Sequence, residues 1–99
     1  MDFLKKLFGG GSSVDLKALI AVGASIVDVR TPAEFASGHF PGSINIPVDA
    51  IGGQIARIKA LKKPVITVCR SGARSAAAAT VMKQAGIEVY NGGPWNSLA

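Results

Sequence analysis

The sequence predicts an α/β domain built on a largely parallel sheet covered on both faces. Three observations lead there. From Val14 onward, short apolar runs of strand length alternate with segments of helical periodicity. The clearest strands, around Ile26 and Ile66, are rich in Ile and Val with little polar alternation, as strands buried on both faces are. Glycine or proline stands at nearly every junction between the segments.

Each element has a local reason. Asp15 is placed to cap a helix through Ala21, with Leu16, Leu19 and Ile20 as its apolar face and Gly23 at its end. Residues 24–29 follow as a short buried strand. Thr31-Pro32-Ala33-Glu34 is a capping box with proline at the first helical position, and Gly38 closes that short helix. Pro41-Gly42 turns the chain into a second short strand over 43–46. Ile55, Ile58 and Leu61 mark a helix within 53–61, which Lys62-Lys63-Pro64 stops before the strand 65–68. A helix over 75–85 ends at Gly86, and its alanine run 76–79 suits close packing on a sheet. Residues 87–90 form the last clear strand. Asn91-Gly92-Gly93-Pro94 reads as a turn, and Trp95 as a packing residue behind it.

Residues 1–13 stand apart from this alternation. Gly9-Gly10-Gly11-Ser12-Ser13 reads as a flexible link, and before it Phe3, Leu4, Leu7 and Phe8 share one helical face. The expectation is a flexible or amphipathic N-terminal tail on a single domain spanning 14–99. Asp2, Lys5 and Lys6 break the apolar stretch too early for a secretory signal. No stretch approaches the roughly 20 apolar residues that cross a bilayer. A reducing cytoplasm is the expected setting, with no membrane partner.

Composition narrows the function classes. Of 99 residues, 48% are hydrophobic and 17% charged, which is globular rather than disordered. One cysteine excludes an intrachain disulfide and a C-x-x-C pair, and the lone His39 leaves no Cys/His metal cluster. The net charge of +5 raises the question of nucleic acid. The basic residues are dispersed, however, and no aromatic is interleaved with them in a recognition pattern. A small anionic substrate or an acidic protein partner fits that mild field better.

Chemistry concentrates at Cys69, in the run Val65-Ile66-Thr67-Val68-Cys69-Arg70-Ser71-Gly72-Ala73-Arg74-Ser75. Here a thiol ends a buried strand, and ligands of parallel sheets bind beyond such ends. Gly72 permits the positive φ a tight loop needs. The amides from Arg70 through Ser75 can then point inward as an anion cradle, backed by the helix beginning near Ser75. Arg70 and Arg74 add positive charge. These features favour thiolate over thiol and an oxyanion beside the sulfur. A buried structural cysteine needs neither the glycine turn nor the arginines.

These residues carry a family resemblance. Cys69 through Ser75 is similar to the active-site loop of single-domain rhodaneses, the thiosulfate sulfurtransferase-like family. Ile26-Val27-Asp28-Val29-Arg30-Thr31-Pro32-Ala33-Glu34-Phe35 and Gly38-His39-Phe40-Pro41-Gly42-Ser43-Ile44-Asn45-Ile46-Pro47 resemble its upstream signature, and Gly92-Gly93-Pro94-Trp95 its closing motif. The resemblance runs from about Val14 to the C-terminus. It implies a three-layer α/β/α fold with about five short strands. It also implies a Cys69 persulfide, formed by attack on the outer sulfur of thiosulfate and discharged to cyanide, a thiol or a protein acceptor. Arg70, Ser71, Gly72, Ala73, Arg74 and Ser75 would bind the anionic donor, with no metal or organic cofactor. An arginine directly after the cysteine is associated in this family with thiosulfate.

The other chemically active residues receive plainer roles. Asp28 and Arg30, at a strand end, are expected to serve as structural support, paired with each other or with loop groups. His39 reads as a hydrogen-bonded turn residue. Cysteine phosphatases place five residues between cysteine and arginine. Here four separate Cys69 from Arg74, a smaller loop that suits one sulfur atom rather than a phosphate. The alternative to an enzyme is a protein-to-protein sulfur carrier or binding module with little turnover on thiosulfate.

Overall fold

A computed structural model of the chain describes residues 15–98; the expected tail over 1–13 lies outside them. The order is α1 (Leu16–Ala21), β1 (Ser25–Asp28), α2 (Pro32–Ala36), β2 (Ile44–Asn45), a 3-10 segment (Val48–Gln54), α3 (Ile55–Ala60), β3 (Val65–Cys69), α4 (Ala73–Gln84), β4 (Val89–Pro94) and a closing 3-10 turn (Trp95–Leu98). Among the described residues the sheet has four strands, ordered β2-β1-β3-β4 and all parallel. The expected count was about five. Only four segments have the apolar strand pattern, and each finds a place.

The helix signals act locally and act as expected. Asp15 accepts from the Ala18 amide at the start of α1, and Gly23 leaves that helix with φ +99. Thr31 and Glu34 form both halves of the capping box on α2. Gly52-Gly53 disfavours a regular helix, so the segment expected from 53 becomes 3-10 first and α-helical only from Ile55.

The period of β3 decides where the sulfur faces. All five of its residues are buried. Ile66 and Val68 join Leu19, Ile26 and Leu98 on the α1 side. Val65 and Cys69 point the other way, against Ile58 of α3 and Ala78, Ala79 and Met82 of α4. Ser75, Ala78 and Ala79 are the small residues that seat α4 against β3 and β4. The Cys69 side chain thus belongs to the α4 layer, at the C-terminal edge of a central strand.

The turn expected at 91–94 is instead the end of β4. The pairing with β3 slips between Thr67 and Val68: Asn91 faces Thr67 and Gly93 faces Val68. Gly92 is therefore the extra residue of a bulge. A Cβ there would lie 2.7 Å from Ile66 Cγ2 and 3.0 Å from the Thr67 carbonyl oxygen. Pro94 is tolerated because β4 is an edge strand and Pro94 ends it. Among the described residues, no helix is long and apolar enough to cross a membrane.

Candidate active site

The loop after β3 wraps the thiol. Gly72 takes φ +107 and serves as the N-cap of α4, which begins at Ala73, two residues before the expected start. That conformation turns the Gly72 amide onto Cys69 Sγ at 2.9 Å. The Ser75 hydroxyl stands 3.3 Å from the same sulfur. Burial pushes the Cys69 thiol up. The Ser75 hydroxyl and the amides of Ser75, Gly72 and Ser71 outweigh it, so its pKa falls below the ordinary thiol value.

Ser75 is itself held by a residue the sequence reading assigned to a turn. Its Oγ lies 2.6 Å from Asn91 Oδ1 and 3.0 Å from the Gly72 carbonyl. Asn91 Oδ1 also accepts the Gly93 amide at 3.0 Å, and its Nδ2 donates to the Gly72 carbonyl at 3.3 Å. The bulge brings Asn91 to this position, and no local pattern announces it. Thr67 completes the attachment by donating from Oγ1 to the Ser75 carbonyl at 2.9 Å.

The two loop arginines differ. Arg70 is exposed, and among the described residues it has no hydrogen-bonding or ionic partner. Arg74 is engaged by Glu34, with Nη1 at 2.7 Å from Oε1 and Nη2 at 3.0 Å from Oε2. Of the two arginines expected to add positive charge, one is thus unpaired among the described residues and one is paired. Glu34, counted only as a helix cap, is a second site residue the sequence reading missed. The Arg74 side chain holds its carboxyl down at about 2, helped by the Thr31 amide.

Of the two pairings open to them, Asp28 and Arg30 adopt the one with each other, as a buried pair. The Asp28 carboxylate accepts Arg30 Nε at 2.9 and 3.0 Å, Nη2 at 2.7 Å and the Arg30 amide at 3.0 Å. Arg30 then donates to the carbonyls of Glu34 and Gly38 and lies 4.8 Å over the Trp95 ring. It joins β1, α2, the turn after it and the closing 3-10 turn. His39 stacks on Phe35 at 3.7 Å, and its Nδ1 is 2.8 Å from the Phe35 carbonyl, as a hydrogen-bonded turn residue should be.

These features define a class: a parallel α/β domain with one buried thiol in an amide-lined loop at a central strand's C-terminal edge. The chain belongs to the rhodanese-like family, whose domain model matches residues 12–94. It is 38% identical over 69 residues to the uncharacterized protein YqhL of Bacillus subtilis, a match covering 69% of this chain and 54% of that protein. It is 40% identical over 76 residues to the thiosulfate sulfurtransferase GlpE of Pseudomonas syringae, covering 76% of this chain and 71% of that one. The fold is similar to that of a rhodanese from E. coli, solved with anions. The TM-score is 0.71 at 29% identity, covering 78% of this chain and 93% of that one. The chain therefore spans little more than half the length of YqhL.

Proposed function

We propose that the domain is a sulfurtransferase that moves sulfane sulfur from thiosulfate, or a related donor, to a thiophilic acceptor through a persulfide on Cys69. One observation carries the reading: Cys69 Sγ sits under the Gly72 amide at 2.9 Å and beside the Ser75 hydroxyl at 3.3 Å, at the start of a 12-residue helix. Such donors favour negative charge on the attacking sulfur, and they serve equally the charge on a second sulfur bonded to it.

In the first half-reaction Sγ forms a bond to the donor's outer sulfur. The donor's own sulfur–sulfur bond breaks, and its electron pair departs with sulfite. In the second, cyanide or a thiolate attacks the outer sulfur, and the pair of the Cys–S bond returns to Cys69 as thiolate. The Ser71, Gly72, Ala73 and Ser75 main chain lines the cradle. Arg70 attracts the anionic donor, and Arg74 offers the N–H groups that Glu34 leaves free. No metal or organic cofactor takes part. GlpE's thiosulfate sulfurtransferase name and the anions of the E. coli rhodanese support this reading. A reducing cytoplasm suits a thiolate that has no resolving cysteine in its own chain.

The test is intact-protein mass spectrometry after incubation with thiosulfate. Wild type is expected to gain one sulfur, about 32 Da, lost again on adding cyanide, while Cys69→Ser gains nothing. A wild type that takes no sulfur from thiosulfate, polysulfide or a persulfidated desulfurase would overturn the proposal.

A further inference from the structure

The positive charge beside Cys69 is smaller than the two loop arginines suggest. Arg74 meets Glu34 through two charge-assisted hydrogen bonds, 2.7 and 3.0 Å long. Glu34 is fixed from its own side as well. Its Oε1 accepts the Thr31 amide and the Thr31 hydroxyl, both at 3.1 Å, within the capping box of α2. A carboxylate held by four hydrogen bonds does not swing away when an anion approaches. To an anion a few ångströms off, the Glu34–Arg74 pair is a dipole rather than a cation. The formal charges of Arg70, Arg74, Glu34 and an ionised Cys69 cancel.

We infer that Glu34 is a specificity-determining residue that, by neutralising Arg74, lessens the advantage of dianionic donors such as thiosulfate at the Cys69 cradle and so favours use of donors with at most one negative charge, such as persulfides and organic thiosulfonates, beside them. The inference rests on the donor cradle of the proposed function. Glu34 touches no reacting atom; it acts through Arg74. Coulomb's law at roughly 6 Å in water-like surroundings makes one uncancelled charge worth about threefold in affinity for a monoanion and about tenfold for a dianion.

Glu34→Gln tests this without removing the helix cap, because glutamine also completes a capping box. The probes are sulfate, a dianion, and methanesulfonate, a monoanion. They are titrated at constant ionic strength, with binding read from the amide resonances of Ser71, Gly72 and Ser75. Glu34→Gln is expected to tighten sulfate about tenfold and methanesulfonate about threefold. Arg74→Gln, which removes the guanidinium and leaves Glu34 unpaired, is expected to weaken both, sulfate more, and adding Glu34→Gln to it to recover about tenfold for sulfate and about threefold for methanesulfonate. Equal or absent shifts for the two anions in Glu34→Gln, or a double variant as weak as Arg74→Gln, would overturn the inference. In turnover, Glu34→Gln is expected to improve kcat/KM for thiosulfate about threefold more than for benzenethiosulfonate, through KM. Failure of the transfer reading has its own signature. Wild type would take no sulfur from either donor, and the ligand would no longer be a sulfur donor even with the anion cycle intact.

Discussion

Removing one partner of the Asp28–Arg30 pair should destabilise the domain more than removing both. The Asp28 side chain is wholly buried and that of Arg30 is 4% exposed. Their contacts include a 2.7 Å ion pair and two further bonds from Nε to both carboxylate oxygens. Asp28→Leu strands a guanidinium in the interior, and Arg30→Met strands a carboxylate. Each is expected to cost about 3–5 kcal/mol, the usual price of an uncompensated buried charge. That is a large part of the roughly 5–15 kcal/mol available to a domain of this kind. At a urea slope of about 1.5 kcal/mol/M, the unfolding midpoint falls by about 2–3 M. The double variant removes both charges together. It loses the packing, the Arg30 contact with Trp95, the acceptor of the Arg30 amide and the bonds from Arg30 to the Glu34 and Gly38 carbonyls, so a cost of about 1–3 kcal/mol is expected. Urea unfolding followed by the fluorescence of Trp95 gives all four stabilities. Single variants costing under about 1 kcal/mol, or a double equal to the sum of the singles, would refute the assignment of a tightly coupled buried pair.

Three further outcomes follow from the geometry. Gly92→Ala puts a Cβ 2.7 Å from Ile66 Cγ2 and is expected to cost about 1–3 kcal/mol, lowering Tm by several degrees in calorimetry; an unchanged Tm would mean that the bulge accepts a side chain. Ser75→Ala removes a hydroxyl that holds the Cys69 thiolate, so the thiolate absorbance near 240 nm should appear at higher pH than in wild type, and an unmoved midpoint would remove Ser75 from the thiolate's support. Tyr90, the one tyrosine, is pushed up to about 12 by burial and by its bond to Glu88. Its folded-state pKa lies above the ordinary value of about 10, so its contribution to stability is complete below pH 10 and is lost as pH rises toward 12. Ultraviolet titration at 295 nm of folded protein should show that late midpoint, and a midpoint near 10 would contradict it.

Legibility in the sequence tracks the range of the interaction. Asp15, the Thr31–Glu34 box and Gly72 act within three or four residues of themselves, and each does what its chemistry predicts. The strands at 24–29 and 65–68 were legible because burial on both faces leaves an apolar run. The register of β4 was not. Its bulge depends on Ile66 and Val68, which fill the space a Cβ at Gly92 would need, so glycines that locally signal a turn here permit a close strand. Glu34 illustrates the same limit: its bond to Thr31 spans three residues and was foreseen, while its bond to Arg74 spans forty and was not.

The hydroxyl of Ser75 explains how one loop can serve both a resting thiol and a charged sulfur. It has one proton and three neighbours that can accept it: Asn91 Oδ1 at 2.6 Å, the Gly72 carbonyl at 3.0 Å and Cys69 Sγ at 3.3 Å. When Cys69 is protonated, its S–H donates to Ser75 Oγ, and the Ser75 proton goes to the shorter bond with Asn91. When Cys69 is ionised, that incoming donor is gone, and the Ser75 proton is open to the sulfur as well as to Asn91. The frame around the sulfur is held from outside, because Thr67 holds the Ser75 carbonyl and Asn91 holds Gly72 and Gly93. The Gly72 amide donates to the sulfur throughout. Cys69 can thus gain and lose charge in a rigid frame with little reorganisation, which is the condition under which preorganised donors stabilise charge most strongly.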